Sequence, residues 1–223
     1  MVNVEVWQKL HSELSEKGVA LVAVSKTKPA EDIQEMYALG QRDFGENYVQ
    51  ELVDKEAALP KDIRWHFIGH LQSNKVKFIA PFVHLIHGVD SGKLLSEINR
   101  QAQKNGRVID VLLQMHIADE DTKFGMDERE IDAAVTEAMQ MPHVRICGLM
   151  GMATNTEDDN KIREEYRRLK QLFDKLAQHQ FNGQTHFNTC SMGMSGDYEI
   201  AIEEGSTMVR IGSLLFGERN YTR

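Results

Sequence analysis

Lys26 follows the apolar run VALVAV (residues 19–24) and Ser25, and its charge is foreign to a buried strand. When its surroundings lower its pKa from about 10.4, a lysine amine becomes a nucleophile toward a carbonyl carbon and forms a Schiff base. A lysine leaving the strand for solvent, as expected of Lys28, fits an isolated position better. Two other segments shift the balance. In CSMGMSGD (190–197), Ser191, Ser195 and Gly193 come just before a helical stretch at 195–204, and in VRIGSLLFG (209–217), Gly212 and Ser213 follow a strand. Backbone amides and hydroxyls in such places can hold phosphate. Singly, each is an ordinary turn.

Arg210 alternates with Val209 and Ile211, so its guanidinium should face a specific acceptor near a strand end or inside the fold. An ion pair with a carboxylate is the competing account. A Schiff-base lysine, a phosphate cradle and an arginine aimed at a ring nitrogen are the groups expected around pyridoxal phosphate.

Residues so far apart in the chain need a scaffold that brings them to one place. Short apolar runs alternate with amphipathic segments, the pattern of a parallel sheet. Strands are predicted at 19–24, 42–45, 64–69, 83–88, 108–116, 144–150, 184–190 and 207–211. Between the sixth and seventh of these, Ile162, Tyr166, Leu169, Phe173 and Leu176 make one apolar stripe along a helix within 157–180. Asp127 with Glu130 forms a capping pattern, and Gly18, Gly40, Gly106 and Gly205 fall where helices should stop. Eight strands with intervening helices predict an α/β fold, a (β/α)8 TIM barrel, with an open doubly wound sheet as the competitor. The chain is short of an outer helix after the last strand, and the helix expected at 3–17 supplies the missing one. The absence of Gly/Ser-rich linkers predicts a single domain over residues 1–223. In such a barrel the mouth binds phosphate after strands seven and eight, where the two candidate loops fall.

The segments VAVSKTKP, DFGENYVQE, WHFIGHLQSNK, GLMGMA, CSMGMSGD and GSTMVRIGSLLFGER together resemble the pyridoxal phosphate homeostasis protein family, which is similar to the barrel domain of alanine racemase standing alone. They occur in order between residues 19 and 219. The resemblance implies the barrel of fold type III, with Lys26 carrying pyridoxal 5'-phosphate as an internal aldimine. It also implies that Arg210 faces the pyridine nitrogen, that Ser191, Gly212 and Ser213 help hold the phosphate, and that Met192 and Asn47 line the pocket. For Asn47, capping of the following helix is the structural alternative. His66 can approach the ring or be a hydrogen-bonded core histidine, and the second reading is favoured. TKFGM (122–126) resembles the family's Lys-x-Gly loop.

The implied function is binding of the cofactor and its buffering, carriage or delivery, with effects on amino-acid and keto-acid balance. Arginine keeps its proton, so the ring nitrogen stays neutral and the ring is a weak electron sink. Racemisation also needs a second acid or base, which in the racemase is a tyrosine on an additional β domain. This chain ends without such a domain, and none of Tyr37, Tyr48, Tyr166, Tyr198 and Tyr221 can be placed opposite Lys26. Robust turnover is therefore not expected. Two alternatives remain: a weak pyridoxal phosphate-dependent amino-acid racemase, and a Schiff-base phosphosugar aldolase that works without bound cofactor.

A net charge of −8 argues against nucleic acid and anionic membranes as partners. No apolar run approaches spanning length and the N-terminus is not a leader, which predicts a cytoplasmic protein. Cys147 and Cys190 lack a CxxC spacing and are expected to be buried free thiols. His66 and His70 carry no HExxH pattern, so no metal is expected. A monomer is expected, in transient contact with pyridoxal phosphate-dependent enzymes.

Overall fold

The computed structural model describes residues 2–120 and 124–217. Its strands are β1 (Ala20–Val24), β2 (Asp43–Glu46), β3 (Arg64–Phe67), β4 (Leu85–Val89), β5 (Ile109–Gln114), β6 (Val144–Met150), β7 (Thr189–Ser191) and β8 (Met208–Ile211). All pair in parallel in chain order, and β8 returns to β1 through Ala20↔Met208 and Val22↔Arg210, closing the barrel. Around it lie α1 (Val4–Glu16), α2 (Ala30–Ala38), α3 (Val49–Ala58), α4 (Val76–Ile79), α5 (Gly92–Lys104), α6 (Glu128–Ala138), α7 (Asp159–Gln178), α8 (Tyr198–Glu203) and α9 (Ser213–Phe216). The predicted TIM barrel is the observed fold, and α1 packs on α9 with the Asn3 N–H donating to Leu215 O at 2.8 Å.

Strand side chains alternate between two apolar environments. Leu21, Ala23, Phe44, Ile86, Val209 and Ile211 face the helices and join the main core. Val22, Leu85, Leu112, Cys147, Met150 and Met208 form a separate cluster inside the barrel. Asp43, His66, His87, Ser191 and Arg210 belong to the same inward set by parity, so the interior is partly polar. In α7 all five predicted stripe residues are buried. Asp127 and Glu130 form a reciprocal capping box at the start of α6.

Two expectations change. The strand predicted at 184–190 is only Thr189–Ser191, because Phe187 stacks on Phe181 (4.1 Å between centroids) and the Gln184 N–H bonds back to Phe181 O, which makes a turn of the preceding residues. The helix predicted at 195–204 is Tyr198–Glu203, because Asp197 Oδ1 accepts from the Met194 N–H (2.6 Å) and closes a turn first. Between β6 and β7 the backbones meet at Gly148, where φ is +152° and a Cβ would lie 1.7 Å from Thr189 O. Only glycine fits there. Among the described residues no helix is long and apolar enough to cross a membrane.

Candidate functional site

At the C-terminal mouth, Lys26, Asn47, Arg210, Gly212 and Ser213 line one cavity of about 240 Å³. Val24, which also lines it, continues the inward parity of Val22, and the same alternation brings Lys26 to the mouth two residues later. Ser195 joins the cavity from the loop after β7, and the Gly212 N–H donates to its Oγ at 3.2 Å, tying together the two loops singled out from the sequence. Gly212 approaches β1 so closely that a Cβ would meet Val24 O at 3.2 Å.

The backbone around Lys26 is held on both sides. Lys55 Nζ, buried on α3, donates to Ser25 O (2.8 Å), Glu46 Oε1 (2.7 Å) and Glu51 Oε1 (2.6 Å). Ser25 Oγ donates to Glu46 Oε1 (2.6 Å), and the Thr27 N–H donates to Glu51 Oε1 (2.6 Å). Thr27 has φ +64°, a left-handed conformation that a β-branched residue adopts only when its surroundings enforce it. Burial pushes the Glu46 carboxyl up to about 7, with Lys55 and Ser25 opposing the rise and the Glu51 charge adding to it. Lys28 does not emerge freely into solvent: its Nζ donates to Phe216 O at 2.8 Å and staples the β1–α2 loop to the end of α9.

Arg210 is held from behind. Its Nη1 donates to Ser191 Oγ (2.6 Å) and its Nη2 to Gly151 O (3.1 Å). Ser191 and Met192 are both fully buried and lie outside the cavity lining. β7 ends at Ser191 and the chain turns at Gly193 (φ +96°), so Met194 and Ser195 reach the mouth instead. Asn47 is not a cap, since α3 starts at Val49; its Oδ1 is buried without a hydrogen-bond partner.

His66 is a core residue, bonded through Nδ1 to His87 Nε2 (2.9 Å) and through Nε2 to Asp43 Oδ1 (3.0 Å). Asp43, His66 and His84 each bring one possible metal-ligand atom within 4.8 Å of the others. Arg64 already pairs with both Asp43 oxygens, so a cation's charge is supplied without an ion. Cys147 and Cys190 are free and buried, and burial pushes each thiol up to about 12. The 122–126 loop lies partly outside the described residues; within it, Phe124 stacks on His70 at 3.9 Å. Tyr221 also lies outside them.

Asp43, Glu46, Lys55 and His87 had no sequence signal as site-supporting residues beyond being polar groups at strand positions or on a helix facing the barrel.

The family model "Alanine racemase, N-terminal domain" matches residues 4–220. A relative from Aquifex aeolicus, named pyridoxal phosphate homeostasis protein, is 43% identical over 90% of this chain and 87% of its own length. The chain belongs to this family. Among solved structures, PipY of Synechococcus elongatus without pyridoxal phosphate superposes with a TM-score of 0.89 at 37% identity, covering 96% of this chain and 99% of PipY. PipY with pyridoxal phosphate bound gives 0.84 at 36% identity, covering 95% and 100%. Alanine racemase from Bartonella henselae shares the fold at a TM-score of 0.68 and 16% identity, with 96% of this chain matching 59% of the racemase.

Proposed function

We propose that the protein binds pyridoxal 5'-phosphate in the mouth cavity and holds it reversibly through the Lys26 amine, serving intracellular homeostasis of the cofactor. The observation that carries this reading is the convergence of Lys26, Asn47, Arg210, Gly212 and Ser213 on one cavity. The donor set fits the group. Among the described lining residues there are two cationic side chains and no carboxylate, a balance that favours an anionic ligand. The Ser195 and Ser213 hydroxyls, with backbone N–H groups of the loops after β7 and β8, would hold the phosphate. Arg210 would donate to the ring nitrogen and leave it without a proton. Asn47 Oδ1 is an acceptor waiting for a donor. Bound there, the cofactor would supply an aldehyde that takes up and releases amines.

Ser191 and Met192 enter this proposal indirectly. Ser191 acts through Arg210, and Met192 packs the wall behind the loop. Holding rather than turnover is supported by the lining: among the described residues it contains no tyrosine, histidine or carboxylate to act opposite Lys26. Relatives named for homeostasis rather than for a reaction support the same reading. In it a monomeric carrier would deliver the cofactor to pyridoxal phosphate-dependent enzymes.

The test is to add pyridoxal phosphate to purified protein, record the visible spectrum, reduce with borohydride and locate the adduct by peptide mass spectrometry. The adduct is expected on Lys26, and Lys26→Ala should abolish both it and the spectral change. Retention of the same spectrum by Lys26→Ala, with the adduct on another lysine, would refute the assignment.

A further inference from the structure

Behind Arg210 a line of polar side chains, buried except for the half-buried Asp43 at its far end, crosses the barrel to the opposite end. Asp43 on β2, His66 on β3, His87 on β4, Ser191 on β7 and Arg210 on β8 are linked by contacts of 3.0, 2.9, 3.2 and 2.6 Å. His66 and His87 are 1% and 0% exposed, so water cannot repair a mismatched proton.

The two ends dictate the direction of every bond between them. Arginine only donates, and an ionised carboxylate only accepts. Burial works against ionisation of Asp43, but hydrogen bonds from His66 and Arg64 outweigh it and hold the carboxyl well below its usual range. His66 must therefore carry its proton on Nε2, facing Asp43. Its Nδ1 is then an acceptor, which requires His87 to donate from Nε2. His87 Nδ1 is in turn an acceptor, filled by the Ser191 hydroxyl, whose oxygen accepts from Arg210. Each donor and acceptor in the line is used once.

A second proton on His66 would reverse His87, whose Nδ1–H would then point at Ser191. Among the described residues the partners of Ser191 Oγ are His87 and Arg210, so its hydroxyl hydrogen would be left without an acceptor. It would also add a cation to an interior facing Arg210 and His84. Burial first, with the Arg210 charge nearby, holds His87 well below its ordinary value. The remaining charged or titratable neighbours are Arg64 on Asp43, Asp110 near His84, and Tyr166, Asp197 and Cys190 near Arg210.

We propose that this line is a one-way hydrogen-bond relay, with His66 and His87 neutral and protonated on Nε2, that anchors the Arg210 guanidinium and presents it to the mouth cavity. Asp43, at the far end of the barrel, is thereby a positioning residue for a group it never touches. That the guanidinium serves a pyridine ring rests on the cofactor reading above; the relay itself does not.

The test uses the full chain, labelled with ¹⁵N and free of cofactor. Long-range ¹H–¹⁵N spectra between pH 6 and 8 should show Nε2–H and bare Nδ1 for both His66 and His87. Asp43→Asn still offers an acceptor oxygen to the His66 Nε2–H, and because reversal would strand the Ser191 hydroxyl hydrogen, both rings should keep Nε2–H. Ser191→Ala keeps Asp43 and its two histidines but releases Arg210, whose guanidinium rotation about Nε–Cζ should accelerate roughly tenfold or more, as expected from loss of a hydrogen bond to a charged group. A doubly protonated ring, an Nδ1–H form in the unmodified protein or in Asp43→Asn, or rotation indifferent to Ser191→Ala would each overturn the relay. Borohydride trapping on Lys26 reads the cofactor assignment separately, so either can fail while the other stands.

Discussion

Lys26 and Arg210 line the same cavity, but their supports differ in kind. The backbone at Lys26 rests on charge: Lys55 sits between Glu46 and Glu51 on the helix-facing side of the barrel wall. Arg210 rests on a line of hydrogen bonds through the interior, ionic only at its ends. Charge holds a backbone segment strongly but makes that hold depend on pH near neutrality. A neutral line holds a side chain at a defined angle and loses its fit only when a proton enters it. Under the proposed function, a lysine that exchanges a ligand and an arginine that keeps one orientation would be served by these two solutions respectively.

The comparison breaks most readily at Lys55. Lys55→Ala leaves two carboxylates facing each other, one of them fully buried, and should destabilise the protein by about 3–5 kcal/mol in denaturant titrations. Ser191→Ala in the other support should lose only about 1–3 kcal/mol. Equal losses would mean that both supports are built alike.

Their responses to pH should have opposite signs. In the unfolded chain Glu46 titrates near 4.5, and in the folded protein near 7, so stability present below pH 4.5 is lost as pH rises through 7, by up to about 3 kcal/mol. Glu46→Gln should remove this decline, measured as the stability difference between the two proteins from pH 4.5 to 7.5. His87 is depressed on folding, so the unfolded chain takes up the proton first and stability drains away below pH 6.5, by at most about 1.4 kcal/mol per pH unit. His87→Gln should flatten that acid limb and leave the decline above pH 4.5 due to Glu46 in place.

The smallest effect is expected at Thr27. Glycine adopts φ +64° without strain and retains the N–H that donates to Glu51, so Thr27→Gly should stabilise the fold by about 1 kcal/mol after its own entropy loss, read from thermal melts. Destabilisation would show that Thr27 is not strained by the brace.

Local pattern carried the barrel a long way. Short apolar runs and the stripe from Ile162 to Leu176 depend on neighbours within a few residues, and they placed most strands and α7 within a residue or two of their observed bounds. The exception, β7, was started too early because Phe187 reads as a strand residue until its stacking on Phe181 is known. At the site, Lys26, Gly212 and Ser213 could be named from their places after strands and Arg210 from its alternation within one, whereas Asn47 came only from the family resemblance. Ser191 and Met192 belong to the same motif, but the turn at Gly193 decides which of its residues face the mouth.

The supports themselves were beyond the reach of local pattern. Alternation tells which face of a strand a residue takes, and that is a property of the chain. It does not tell which inward residues meet, because that depends on the register around a closed ring. His87 and Ser191 are 104 residues apart and Ser25 and Glu46 are 21 apart, yet each pair is in hydrogen-bond contact. Barrel closure brings them together, and only closure could establish that polar residues scattered over five strands satisfy one another in a single line.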